Sequence, residues 1–364
     1  MNIIVINKEI FQNRPPVIST LLTLSDLGHH VTLITVEINK FWLDELTKRK
    51  IEVFSIPDFN KRSIVNKLFE YLNFRRKVFS LLESIVDAPK EYILWVIGGN
   101  TIYSLGKKIL KYRFILQIQE LHENDSLYLR LFSKIINRAE LVFLNEYNRT
   151  VLYQGWFQMK KRPIVLPNKP YFAPSVSELN LLKSKYEKYL AVFKKKVILY
   201  QGILTSDRDV SNYLKAAERL GEEFCVVLLG KDYGMIEKYK SVNPNIVHIN
   251  HIPAPDYLLF TSMAYIGIVN YSPLIINNSY CAPNKIWEYA CYGVPSICND
   301  VPGLKYTVEA SGFGVCIDED DIQSIYDGYI RIMQSYDIFR NNAFKFYESV
   351  NTKEILAQSL KCII

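Results

Sequence analysis

Several absences narrow the field first. The six cysteines, Cys225, Cys281, Cys291, Cys298, Cys316 and Cys362, include no pair at C-x-x-C spacing. A zinc ribbon and a disulfide scaffold are therefore poor fits, and reduced core thiols are expected. No run of 18 apolar residues occurs, so no segment reads as a bilayer-spanning helix. The opening "MNIIVINKEI" has no basic region before its apolar run and no small-residue cleavage site after it, which makes a poor signal peptide and points to a cytoplasmic chain. No G-x-G-x-x-G follows that first apolar run. "INKEIFQNRPP" stands there instead, and its prolines supply no amide N–H to a pyrophosphate, which argues against a dehydrogenase. The excess of base is small, 44 − 37 = +7, and no nucleic-acid module is recognisable.

What is present is an alternation. "NIIVIN", "VTLITV", "VFSI", "YILWVIGG", "FILQIQ", "LVFLN" and "IVLPN" are short β-branched runs separated mostly by helical stretches, the pattern of parallel βαβ units. "PNKPYFAPS" (Pro167–Ser175) breaks the pattern with three prolines, and "ELNLLKSKYEKYLAVFKKK" follows as one charged helix. The alternation then restarts with "VILYQG", "FCVVLLG", "IVHIN", "YIGIVN", "VPSICN" and "GVCI". The expected organisation is a first Rossmann-like domain over 1–168, a linker and connecting helix over 169–195, a second Rossmann-like domain over 196–340, and a helical segment over 341–364 returning to the first domain. In such sheets ligands sit beyond the carboxyl ends of the strands, and a cleft between two such domains is the natural site.

The stretch "NNSYCAPNKIWEYACYGVPSICND" (Asn277–Asp300) concentrates the chemistry. Pro283 precedes a helix on which Asn284 is near the first position. The free N–H groups at a helix start bind anions, and Lys285 adds charge. Glu288 lies one turn further along the same face, where a carboxylate accepts both hydroxyls of a ribose. The plainer reading is a solvated Lys–Glu pair on a surface helix. A strand directly after the helix argues against it, because it puts the helix start at a strand-end crevice.

These residues resemble the signature of the retaining glycosyltransferases of family 4, which have the GT-B fold. Glu288, Gly293, Pro295 and Ser296–Cys298 match its second half, and Pro-Asn-Lys before an apolar pair and Glu-Tyr is similar to bacterial polysaccharide-assembly members. The first glutamate of the signature falls on Tyr280, a departure beside the donor sugar. "VILYQGILTSDRDVSNYLKAAERL" resembles the strand, turn and helix at the donor phosphates. There Gly202 would let backbone come close, and Arg208 would grip the diphosphate. Asp209 and Val210 stand where a second basic residue is frequent, so Lys285 or Lys231 would substitute. "NDVPGLKYTVEASGFGVCIDEDD" resembles the architectural segment after the ribose-binding helix, with Val301–Leu304 bordering the site. "LGHHVTLIT" is similar to a strand entry whose histidines are structural. "FILQIQELHENDS" leads into Glu120, His122, Glu123, Asn124 and Asp125. The resemblance puts either His122 or Glu120 near the transferred sugar, and sets Asn145 and Arg149 in the next strand and helix, at the cleft or in the scaffold.

The resemblance implies a glycosyltransferase that moves a sugar from a nucleoside-diphosphate sugar to a hydroxyl of a growing lipid-linked glycan in surface polysaccharide synthesis, with retention. Arg208 and Lys285 would neutralise the leaving diphosphate, and no cofactor or metal is expected. The basic stretch Lys61–Lys77 holds six basic and one acidic residue, 6 − 1 = +5, interleaved with Ile64, Leu68, Phe69, Leu72 and Phe74, so it suits either an anionic membrane surface or packing on its own domain. Two alternatives share the fold: a nucleotide-sugar epimerase, and a non-catalytic partner subunit.

Overall fold

The computed structural model describes residues 1–57, 64–86, 88, 91–122 and 126–363. The chain forms two compact units, Met1–Tyr171 joined by the segment from Asn351 onward, and Phe172–Val350.

The first unit is built on β1 (Asn2–Ile10), β2 (His30–Glu37), β3 (Glu52–Ser55), β4 (Tyr92–Ile97), β5 (Arg113–Ile118), β6 (Leu141–Leu144) and β7 (Ile164–Val165). They lie in the order β3-β2-β1-β4-β5-β6-β7, every pairing parallel. Ile and Val dominate the central strands because helices cover both faces of such a sheet. Ile3, Val5, Leu33, Trp95 and Ile115 are buried in one core. Leu356 and Leu360 of the helix Thr352–Lys361 belong to that core too, which is why the chain's last segment counts with the first unit.

The second unit carries β8 (Lys196–Gln201), β9 (Phe224–Leu229), β10 (Val247–Ile249), β11 (Ile266–Val269), β12 (Ser296–Asn299) and β13 (Gly314–Ile317). Their order is β10-β9-β8-β11-β12-β13, again parallel throughout. The direction of winding reverses between β8 and β11, the place where sheets of this type open a binding crevice at their carboxyl ends.

The segment after Ser175 differs from the sequence reading. Leu179 and Tyr186 are buried in the second core, and Tyr186 Oη donates to Asp256 at 2.7 Å. The expected charged helix is broken into Val176–Asn180, Glu187–Leu190 and a 3-10 turn at Ala191–Lys194. Tyr186, Tyr189 and Phe193 all meet Phe260, so tertiary packing sets the path of this segment rather than helix propensity.

The helix Asn284–Cys291 is laid across β11 by a glycine. A Cβ on Gly267 would come within 2.5 Å of the Tyr289 ring, and Tyr289 Oη reaches past it to the Leu199 carbonyl at 3.0 Å. Gly267→Ala should therefore cost about 1–3 kcal/mol by overpacking. Denaturant unfolding should show the loss in G267A/Y289L to be smaller than the sum of the two single losses, because the clash is shared.

Candidate nucleotide-diphosphate site

The helix Asn284–Cys291 begins after Pro283, whose extended backbone (φ −72°, ψ 145°) turns the chain into it, and no side chain caps its start. Asn284 is its first residue. Lys285 is 7% exposed, so the solvated surface pair considered from the sequence does not exist. Its ammonium lies 4.3 Å from the centre of the Tyr200 ring and 5.5 Å from that of Tyr271. The guanidinium of Arg208 lies 5.0 Å over the same Tyr271 ring. One aromatic face thus gathers two cations that are 77 residues apart, and cation–π attraction holds each.

Neither cation is neutralised in the usual way. Lys285 Nζ, Arg208 Nε and Thr205 Oγ1 are buried side-chain atoms with no hydrogen-bond partner among the described residues. The carboxylate nearest Arg208 Nε, that of Asp207, stands at 3.7 Å. Burial, and then the charge of Arg208, depress the Lys285 ammonium to about 7. Native proteins leave few buried donors unpaired, because each costs its desolvation in full. Three such atoms in one region make it a candidate anion site.

Backbone opens the place for it. Gly202 ends β8 at φ +137°, and a Cβ there would come within 3.3 Å of Lys285 Nζ. Gly230 (φ +151°) touches the Gly202 carbonyl so closely that a Cβ would fall 1.8 Å from it. Arg208 ends a 3-10 turn, three residues before the helix Ser211–Glu218. It stands outside the first turn of that helix. Asp209 serves that start instead, accepting from Ser211 N at 2.9 Å and pairing with Lys238 at 2.5 Å. The exposed Lys231 ammonium lies over Tyr233 at 5.0 Å, and the Lys231 carbonyl accepts from Leu204 N at 2.9 Å beside the Gly202 turn.

Glu288, one turn beyond Lys285, is held more firmly than its sequence context indicates. Tyr257 Oη donates to its Oε1 and Gln201 Nε2 to its Oε2. Thr261 Oγ1 donates to Gln201 Oε1 at 2.7 Å. Burial pushes the Glu288 carboxyl above its ordinary range, while the Tyr257 bond, the charge of Lys285 and the Gln201 bond pull it part of the way back. A carboxylate offers about four lone-pair positions, so two accepted bonds leave roughly two open. Tyr257, Gln201, Tyr200, Tyr271 and Thr205 escaped the sequence reading. They lie on other elements, and no spacing links them to Glu288 or Lys285.

Tyr280 ends the short helix Ile276–Ser279. Gly303, in the turn Val301–Leu304, supports the backbone there: a Cβ on it would meet the Cys281 carbonyl at 2.4 Å.

The candidates of the first unit are placed separately. The Glu120 side chain is half-exposed, with Arg14 Nη1 3.5 Å away. The His122 ring packs on Tyr128 at 4.3 Å and lies over Gly99, where a Cβ would meet Nε2 at 2.2 Å. Asn145 and Arg149 turn out to be scaffold. Arg149 is buried, and both donate to the Gln119 carbonyl, at 3.1 Å and 2.6 Å. Glu123, Asn124 and Asp125 lie outside the described residues, as do Lys61, Arg62 and the side chains of Ile64 and Leu68. Of the basic stretch, Phe74 is buried and Arg75 donates to the Ser104 carbonyl, whereas Phe69 and Leu72 are exposed. No helix among the described residues is long and apolar enough to cross a membrane.

No family model matches the chain, and no curated protein matches it. Solved structures do. HepE of Anabaena, in complex with UDP and glucose, superposes with a TM-score of 0.71 at 14% identity, covering 100% of this chain and 99% of HepE. WaaG, a glycosyltransferase involved in lipopolysaccharide biosynthesis, gives 0.64 at 13% identity, with 98% of each chain covered. A Listeria monocytogenes protein provisionally assigned as UDP-N-acetylglucosamine 2-epimerase gives 0.64 at 13% identity, covering 99% of this chain and 95% of that one. At such identities the likeness defines the fold: two parallel-sheet α/β domains of the GT-B type.

The depressed Lys285 ammonium has a signature in stability. Between pH 7 and about 10.5 the unfolded chain binds the lysine proton and the folded chain releases it, so folding gains about 1.4 kcal/mol per pH unit from this group. Below pH 7 the full cost of burying the charge is present. Lys285→Met should be more stable than the natural chain at pH 6 by several degrees in Tm, with the gap closing as pH rises from 7 towards 10. A pH-independent gap in thermal melts would contradict the placement of Lys285.

Proposed function

We propose that the protein is a glycosyltransferase using a nucleoside-diphosphate sugar as donor. The observation that carries the reading is the buried Lys285 ammonium, unpartnered beside Arg208 at the start of a helix whose next turn bears Glu288. The diphosphate sits against Lys285, Arg208, the Gly202 backbone and the first amides of the helix from Asn284, while Glu288 accepts the ribose hydroxyls. When the sugar–phosphate bond breaks, charge builds on the leaving phosphate. Two preorganised cations stabilise that added negative charge more than they stabilise the less charged ground state of the donor, which is where the rate enhancement arises. Binding of the anion also restores the Lys285 proton, so donor uptake and protonation are linked. Lys231 stands at the rim of the same loop pair, and His122 or Glu120 of the first unit serves the transferred sugar.

HepE is a neighbour with UDP bound, and WaaG is a neighbour involved in lipopolysaccharide biosynthesis; both favour this reading. We assign the acceptor as a hydroxyl of a growing lipid-linked glycan in surface polysaccharide synthesis, with the anomeric configuration retained. The first unit would then meet an anionic leaflet through Phe69 and Leu72, 67% and 47% exposed on the helix Ile64–Ile85, with Arg76 exposed beside them. The Listeria neighbour favours an epimerase as second reading, distinguished by free nucleoside diphosphate released without any acceptor glycosylated.

Thermal melts with UDP, GDP, ADP, CDP and dTDP test the donor site. At a hundredfold excess over its dissociation constant the right nucleotide adds about 2.7 kcal/mol, and Arg208→Ala or Glu288→Ala removes the gain. Failure of all five to raise Tm would sink the proposal. For the membrane contact, Phe69→Ser/Leu72→Ser should lower co-sedimentation with phosphatidylglycerol vesicles several-fold, and phosphatidylcholine vesicles should retain neither form.

A further inference from the structure

We propose that Tyr257 and Gln201 are positioning residues that fix the plane of the Glu288 carboxylate, so that both its oxygens are presented together to the vicinal hydroxyls of one ribose. The inference rests on the donor reading given above and names what makes its ribose contact selective.

A carboxylate on a glutamate side chain rotates freely about its last bond unless something stops it. A single donor fixes one oxygen and leaves the other to swing. Here two donors from two different elements take one oxygen each: the Tyr257 hydroxyl, just before the helix Leu258–Ser262, takes Oε1, and the Gln201 amide, at the end of β8, takes Oε2. Two fixed oxygens define a plane. The arrangement is itself held from outside. Thr261 is fully buried and donates to Gln201 Oε1, which turns the amide's NH₂ end towards Glu288. The helix that carries Glu288 is anchored through the neighbouring Tyr289, whose hydroxyl bonds to the Leu199 carbonyl of β8. Each oxygen of Glu288 keeps a lone pair, the number that a vicinal diol uses.

The donors also decide the charge. A carboxyl in a buried place tends to take up a proton, and a protonated one presents a donor on one oxygen, which spoils reception of two hydroxyls. Two hydrogen bonds to the ionised form oppose this. A bidentate contact left unpaired on one side is costly, so the arrangement discriminates against a nucleotide that lacks its hydroxyls.

The experiment measures dissociation constants by calorimetry for UDP, GDP, ADP and CDP, each against its 2′,3′-dideoxy counterpart, and takes the ratio for the tightest pair. Variants are Tyr257→Phe, Gln201→Met and Thr261→Val, with inorganic pyrophosphate as the reference ligand. The natural chain should prefer the hydroxylated nucleotide by tenfold or more, and Glu288→Gln should erase most of that preference. Tyr257→Phe and Gln201→Met should each cut the ratio several-fold, and Thr261→Val should cut it less, while pyrophosphate affinity holds within twofold. A general loosening of the fold would weaken pyrophosphate as well and leave the ratio unchanged. Should the natural chain discriminate and all three variants discriminate equally well, the positioning role is wrong and the donor reading stands. Should the natural chain not distinguish the two forms, or bind none of the nucleotides, the assignment of Glu288 to a ribose fails and this inference fails with it.

Discussion

The second unit is organised around an ammonium group that the protein has taken out of water and left without a hydrogen bond. Lys285 is held against Tyr200 and Tyr271, with Arg208 on the same Tyr271 ring. Two like charges repel, and Lys285 is desolvated as well. A fold tolerates that cost only where something compensates it, and attraction to the ring faces does so here. The strain is visible in the lysine itself, whose proton is held only to about pH 7.

Holding such a site calls for stiffness around it, and the surrounding contacts are of that kind. Gly230 lets its strand end press on the Gly202 carbonyl, and Gly267 lets the Tyr289 ring lie flat on β11. In each case one missing Cβ brings two elements closer than any side chain would allow. The polar chain Thr261–Gln201–Glu288–Tyr257 ties β8, the helix Leu258–Ser262 and the helix Asn284–Cys291 together with every named group paired. The unpaired donors and the paired network thus lie side by side on one helix, at Lys285 and at Glu288.

The first unit follows the same plan with a different balance. Its strand ends carry polar residues, but the interactions seen there mostly serve the fold. Arg149 and Asn145 secure the Gln119 carbonyl, and His122 rests on Tyr128 and Gly99. The Glu120 side chain extends into solvent near Arg14.

All thirteen strands were legible in the chain, because a parallel sheet covered on both faces demands runs of Val, Ile and Leu too short for helices. That Lys285 and Glu288 lie one turn apart on one helix was legible as well, from Pro283 before it and the apolar pair between them. Other features had no local trace. The segment after Ser175 looks helical by composition and breaks to reach Phe260, and Asn145 and Arg149, open between cleft and scaffold in the sequence, bond to the Gln119 carbonyl. The partners of Glu288 come from 31 and 87 residues upstream. Periodicity and capping act over a few residues and can be read along the chain, whereas which ring shields an ammonium, or which hydroxyl fixes a carboxylate, depends on how distant elements pack, and only the folded molecule decides that.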